Sequence, residues 1–215
     1  MARVEIRSAW RASRCLMLTA ALLLLFTGVG HAQRQAPKGI AGVTLGEHIE
    51  QAADKVRKET AGVPWGLGHL ERAETLPLPG FRSGYVEYGT CAQPGRIVRI
   101  KLNYEDESLR LFNTLLDALK KRYGQRPEWR GDAFGTLKVW KWSIPDGKGN
   151  SVSLILQNYQ GDDDSYSEGT SIRLGVRNWI DDEIACARKR VEREPARPAP
   201  TDGRARDLDW LLPTD

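Results

Sequence analysis

The chain has 215 residues, with 32 Lys and Arg against 28 Asp and Glu, a formal net charge of +4, and 40% hydrophobic residues. Most of the surplus sits at the start: residues 1–32 hold four arginines and one glutamate, so the remaining 183 residues carry 28 basic against 27 acidic side chains. That near-neutrality argues against a nucleic-acid partner, which calls for a large positive surplus against phosphates, while 183 residues suffice for one domain with a proper core.

Residues 1–32 read as a secretory signal peptide. Arg3, Arg7, Arg11 and Arg14 form a positive n-region and residues 15–26 an apolar run. Gly30 and Ala32 then put small side chains at the −3 and −1 positions of a cleavage site before Gln33. An uncleaved anchor needs about 20 apolar residues, and the stretch over 15–29 is shorter and broken by Thr19, Thr27 and Gly28. A lipoprotein cysteine would follow the run, whereas Cys15 precedes it. The expected protein is periplasmic or secreted, with no stable membrane span after cleavage.

Residues 44–59 read as a first helix. Thr44 and Glu47 have capping-box spacing, and Ile49, Ala52, Ala53 and Val56 share a face. Gly62, Pro64, Gly66 and Gly68 break it, residues 67–76 are an ambiguous strand, and residues 82–89 a short Tyr-rich one after the Pro77, Pro79, Gly80 turn. Residues 97–104 alternate cleanly, with Val98, Ile100, Leu102 and Tyr104 on one side and Arg99, Lys101 and Asn103 on the other. A second helix follows, capped by Asp106, striped by Leu109, Phe112, Leu115, Leu116 and Leu119, and stopped by a left-handed Gly124. Strands are expected at 136–144, 151–159 and 170–176. A last helix is expected over 178–191, with Asn178 as its cap and Asp181, Asp182 and Glu183 in its first turn.

The fold expected from this order is α+β: a single antiparallel sheet of about six strands with helices packed on one face, order α-βββ-α-βββ-α, within one domain over 33–191. Trp65, Trp129, Trp140, Trp142 and Trp179 are available to fill its core. Residues 192–215, with Pro195, Pro198 and Pro200, read as a disordered Pro/Arg-rich tail. Its apolar knot at 208–212 offers a short docking motif or a flap.

Catalytic motifs are missing from the inventory. After the leader the histidines are His48 and His69, there is no HExxH, GxSxG or Walker loop, and neither histidine has partners that suggest a triad or zinc site. The acidic run over 161–169 departs from calcium-loop spacing, with Tyr166 where an oxygen ligand should stand, and reads as a solvated hairpin loop. No metal, cofactor or catalytic residue is assigned. What remains is a surface. If helices cover the face holding Val98, Ile100, Leu154, Leu156, Ile172 and Leu174, the opposite face carries Arg99, Lys101, Arg173 and Arg177, joined by Trp140 and Trp142 unless those two turn to the core and leave Lys141 outside.

The reading is a non-enzymatic binding or interaction module whose partner is an unknown envelope protein or an anionic polymer. The alternatives are a cell-envelope hydrolase or transferase using carboxylates that converge only in three dimensions, and an inhibitor or chaperone-like accessory protein.

Two cysteines follow the leader, Cys91 and Cys186. In an oxidising compartment they are expected to pair, closing a long loop that contributes roughly 4 to 5 kcal/mol by chain entropy. Alkylation of unreduced protein followed by intact-mass measurement is expected to add nothing to either cysteine; two modified thiols refute the bridge.

Overall fold

The structure is a computed structural model that describes residues 35–64, 68–161 and 166–193. The expected signal peptide, Trp65, the acidic residues 162–164 and the tail from 194 onward lie outside the described residues.

A two-residue hairpin, β1 (Gly39–Ile40) and β2 (Val43–Thr44), precedes the main sheet. Then come β3 (Val56–Gly62), β4 (Leu70–Thr75), β5 (Phe81–Gly89), β6 (Ile97–Tyr104) and helix α1 (Leu109–Tyr123). After them follow β7 (Glu128–Trp129), β8 (Leu137–Pro145), β9 (Ser151–Tyr159), β10 (Gly169–Val176) and helix α2 (Arg177–Arg193). The eight strands β3 to β10 form one antiparallel sheet in the order β3-β4-β5-β6-β10-β9-β8-β7. Each half is a four-strand meander followed by a helix, and the last strands of the two meanders, β6 and β10, pair at the centre.

This corrects the expected six-strand sheet with three helices. The helix expected over 44–59 does not form. Its capping-box contact does: the Thr44 N–H donates to Glu47 Oε1 at 2.8 Å. Gly46, however, has φ +88, and the chain proceeds through i→i+3 turns closed by Gln51 to His48, Ala52 to Ile49 and Lys55 to Ala52. Those turns recur about every three residues, so Ile49, Ala52 and Val56 are buried at the spacing a helix would also give. Residues 56–62 are claimed by strand pairing, with Val56 opposite Thr75 and Arg57 opposite Glu74. The two-residue β7 is the other strand beyond the expected six.

The terminal signals are also displaced. Asp106 accepts the Ser108 N–H at 2.8 Å in a turn before α1, and Ser108 is the cap, accepting from the Leu111 N–H. Gly124 ends α1 with its N–H on Lys120 O, at φ 125 and ψ 151 rather than in the left-handed region of a Schellman stop. Asn178 lies inside α2, where its Oδ1 accepts from the Ser151 N–H at 3.0 Å, and α2 has no acidic residue in its first turn.

Cross-strand register assigns the two faces. Ala73, Val86, Ile100, Leu102, Ile172, Leu174, Leu154, Leu156, Trp142 and Ile144 line one of them and form a continuous buried cluster with Phe112 and Leu116 of α1 and Val43, Ile49 and Ala52 of the N-terminal segment. Opposed positions across antiparallel strands share a face, so alternate residues of the same strands make up the polar side.

Helix α2 is fastened at the end of this sheet. Cys91 and Cys186 are disulfide-bonded, with Cα atoms 5.8 Å apart. One turn earlier, Glu183 is 1% exposed, and its carboxylate accepts from the backbone N–H groups of Thr90, Cys91, Ala92 and Gln93 at 3.2, 2.8, 3.0 and 2.7 Å. Gly89 lets the carboxylate approach, since a Cβ there would collide with Glu183 Oε1. Glu183→Ala strands four partly buried donors, and with charged hydrogen bonds at about 1.5–3 kcal/mol and partial relief by water, a loss of roughly 3–5 kcal/mol is expected in urea unfolding. Glu183→Gln, which keeps one acceptor oxygen, is expected to lose less.

Candidate anion-binding face

The polar side of the sheet is built from two neighbouring cross-strand rows. One runs Arg72, Glu87, Arg99, Gly175, Ser153, Ser143 over β4, β5, β6, β10, β9 and β8. The other runs Glu74, Tyr85, Lys101, Arg173, Ile155, Lys141 and ends at Glu128 of β7. The alternation of β6 and β10 thus places Arg99, Lys101 and Arg173 together. Arg177 is not on the sheet; it is the first residue of α2.

Trp140 and Trp142 belong to the other side. Trp142 is buried, and its Nε1 donates to Gly124 O at 3.1 Å. Trp140 meets Trp129 edge-on with centroids 4.8 Å apart, and Lys120 of α1 lies 5.3 Å from its ring. Turning both tryptophans inward sends the intervening Lys141 to the basic face.

The carboxylates here are engaged. Glu87, with no exposed side-chain surface, lies between Arg72, at 2.6 Å, and Arg99. Glu74 pairs with Arg57, and Glu128 with Arg130 at 2.7 Å and Lys141 at 3.8 Å. The Arg72 guanidinium also covers the Tyr85 ring at 3.9 Å, and burial pushes the Tyr85 hydroxyl above its ordinary pKa. The central cations are less well matched. Lys101 donates to Ser167 Oγ at 2.6 Å and has no carboxylate partner among the described residues, nor does Arg173. Burial first, then the positive charges of Arg173, Arg72 and Arg82, hold the Lys101 ammonium below the usual lysine range. Burial and Arg99 act on Arg173 in the same direction.

Beside this pair lies a concavity of about 170 Å³ lined by five cations, Arg99, Arg130, Lys141, Arg173 and Arg177. Ser153 and Gly175 contribute to its lining from β9 and β10, and Ile155 and Ile180 supply apolar surface. A second hollow toward the β4–β5 end takes in Arg57, Arg72 and Arg82 beside Tyr85. Sequence alternation points to Arg99, Lys101 and Arg173. Arg72 lies in a strand whose pattern is ambiguous, and Arg130 follows a two-residue strand too short to show any period.

His48 Nδ1 accepts the Glu50 N–H at 3.2 Å, while burial and the Arg99 charge lower the His69 pKa. Among the described residues no group of three or more His, Cys, Asp or Glu could hold a metal ion, and no helix is long and apolar enough to cross a membrane. Comparison with family profiles, curated proteins and solved structures finds no match to this chain.

Lys101 and Arg173 are directly opposed like charges, an arrangement that costs roughly 0.2–1 kcal/mol. Because the folded pKa of Lys101 lies below its unfolded value, the unfolded state binds more protons, and stability gains as pH rises through the lowered pKa toward the unfolded one. Lys101→Met is expected to raise stability by up to about 1 kcal/mol in low salt at neutral pH and to flatten that alkaline gain. Thermal melts across pH test both; a destabilised variant with an unchanged profile contradicts the repulsion.

Proposed function

We propose that this chain is a non-catalytic binding module that holds an anionic polymer across its basic sheet face, in a compartment oxidising enough to keep Cys91 and Cys186 joined. The five-cation concavity carries the reading, because no acidic residue is among those that line it. Its extension favours a polymer. From Arg72 on β4 to Lys141 on β8 the cations cross six adjacent strands, roughly 24 Å at about 4.8 Å per strand. A chain of repeated negative charges laid across the strands meets Arg72, Lys101, Arg173 and Lys141 in turn.

The bonding of the acids supports binding over hydrolysis. Glycoside cleavage needs two carboxyl groups facing one bond, whereas Glu74, Glu87 and Glu128 are each tied to basic side chains. The disulfide fits an export route, and the expected leader and periplasmic or secreted location belong to the same reading.

The test is binding of polygalacturonate and of polyphosphate to the full chain, with neutral dextran as control. Binding of a charged polymer, weakening steeply with salt as counterions are released, is expected. Lys101→Glu with Arg173→Glu is expected to weaken it at least about tenfold, or about 1.4 kcal/mol. Arg99 is left in place because it holds buried Glu87. Indifference to the double reversal, or equal binding of dextran, overturns the proposal.

A further inference from the structure

Resting on that reading, we infer that the concavity between β6, β8, β10 and the start of α2 is a seat for one tetrahedral oxyanion, a phosphate or sulfate monoester borne by the ligand.

The charge of the pocket matches such a group. Five basic side chains line it, and the carboxylates that engage them are Glu87 on Arg99, Glu128 on Arg130 and Lys141, and Asp181 on Arg177 at 3.4 Å. Two positive charges are left over. A phosphate monoester carries about −1.5 to −2 near neutral pH, whereas one carboxylate supplies −1.

The directions of the donors match as well. Arg99 comes from β6, Arg173 from β10, Lys141 from β8, Arg130 from the residue after β7 and Arg177 from the first turn of α2. A guanidinium fork meets the two oxygens of a carboxylate or one edge of a phosphate, and only the tetrahedral group has further oxygens left for donors from other sides. Ser153 brings a hydroxyl, and Gly175, opposite both Arg99 and Ser153, brings no side chain at all.

Two placements at this point are electrostatically unfavourable on their own. Arg173 stands beside Lys101, and Arg177 puts a cation at the positive end of the α2 dipole. A bound dianion offsets both.

Gly175 supplies the decisive variant. A Cβ there would meet Val98 O at 3.4 Å and Arg99 Cγ at 3.5 Å, ordinary contacts, and its φ is not in the left-handed region. Gly175→Ala therefore leaves the fold and every cation intact and takes up space in the seat. Binding of inorganic phosphate, sulfate and acetate to the full chain is measured by calorimetry, alongside polyphosphate, dextran sulfate and polygalacturonate. Phosphate or sulfate is expected to bind at least about tenfold tighter than acetate, with a tenfold loss in Gly175→Ala and a severalfold loss in Ser153→Ala. Polyphosphate or dextran sulfate is expected to outcompete polygalacturonate, and Gly175→Ala to narrow that margin. Which of phosphate and sulfate binds more tightly identifies the ester.

Equal affinity for acetate, or a Gly175→Ala protein that binds phosphate and sulfate undiminished, overturns the seat. Polygalacturonate binding as tightly as the other polymers overturns the seat while leaving the polymer-binding proposal standing. Failure of every charged polymer to bind removes that proposal itself.

Discussion

The carboxylate of Glu183 is buried, and burial obliges it to find partners, since an unpaired charge away from water costs several kcal/mol. It finds four consecutive backbone N–H groups between Thr90 and Gln93. These groups belong to the loop joining β5 to β6, so satisfying the acid fixes where α2 lies relative to the central strands. The disulfide three residues further along α2 ties the same helix to the same loop covalently. One fastening is polar and geometrically exact, the other acts chiefly on the unfolded chain. Together they set the position of Arg177 and Ile180 in the first turn of α2, which close one side of the basic concavity.

The sheet supplies the rest of the site through its pairing. Because β6 and β10 are antiparallel neighbours, Lys101 stands opposite Arg173 and Arg99 opposite Gly175, and the same register puts Leu102 against Ile172 on the far side. A slip of one residue would exchange the faces, turning the guanidinium groups into the core and Ile100 and Leu174 into water. The buried apolar cluster thus fixes the basic face as firmly as it fixes itself. Glu87 shows the same coupling at the level of charge: fully buried beneath Arg72 and Arg99, it neutralises part of their charge and holds both side chains down on the sheet.

Legibility in the sequence followed the length and purity of each pattern. Strand β6 and strand β9 carry uninterrupted alternation and are bounded where the pattern places them, and α1 has an apolar stripe long enough to be unambiguous. The segment over 44–59 carries a true local signal, the Thr44–Glu47 contact, with burial at Ile49, Ala52 and Val56. Three-residue turns and a helix share that spacing over so short a run, and the pairing of β3 with β4, a tertiary event, decides the outcome. Strand β7 is two residues long and has no period to read. The basic face was legible because it is the complement of the apolar one; the concavity was not, because Arg130 and Arg177 reach it from outside the regular strands. Glu183 offered no signal as a keystone, since nothing in a run of acids at the start of a helix distinguishes the one that turns inward.

The arrangement of charge then separates cations matched by acids from those set against one another. A fold selected only for stability gains from placing opposite charges across a strand pair and acids at the start of a helix. This chain does the first at Arg72 and Glu87, and again at Arg57 and Glu74, on the strands away from the centre. At the β6–β10 junction it does the reverse, setting Lys101 against Arg173, and at the head of α2 it places Arg177 rather than an acid. Matched pairs on β3 to β5 thus lie beside like charges opposed across β6 and β10, next to a side-chain-free Gly175. Local disagreement with the rules that govern the rest of a structure is expected where stability is traded for function, and the proposal of a negatively charged partner rests on this disagreement being of one sign.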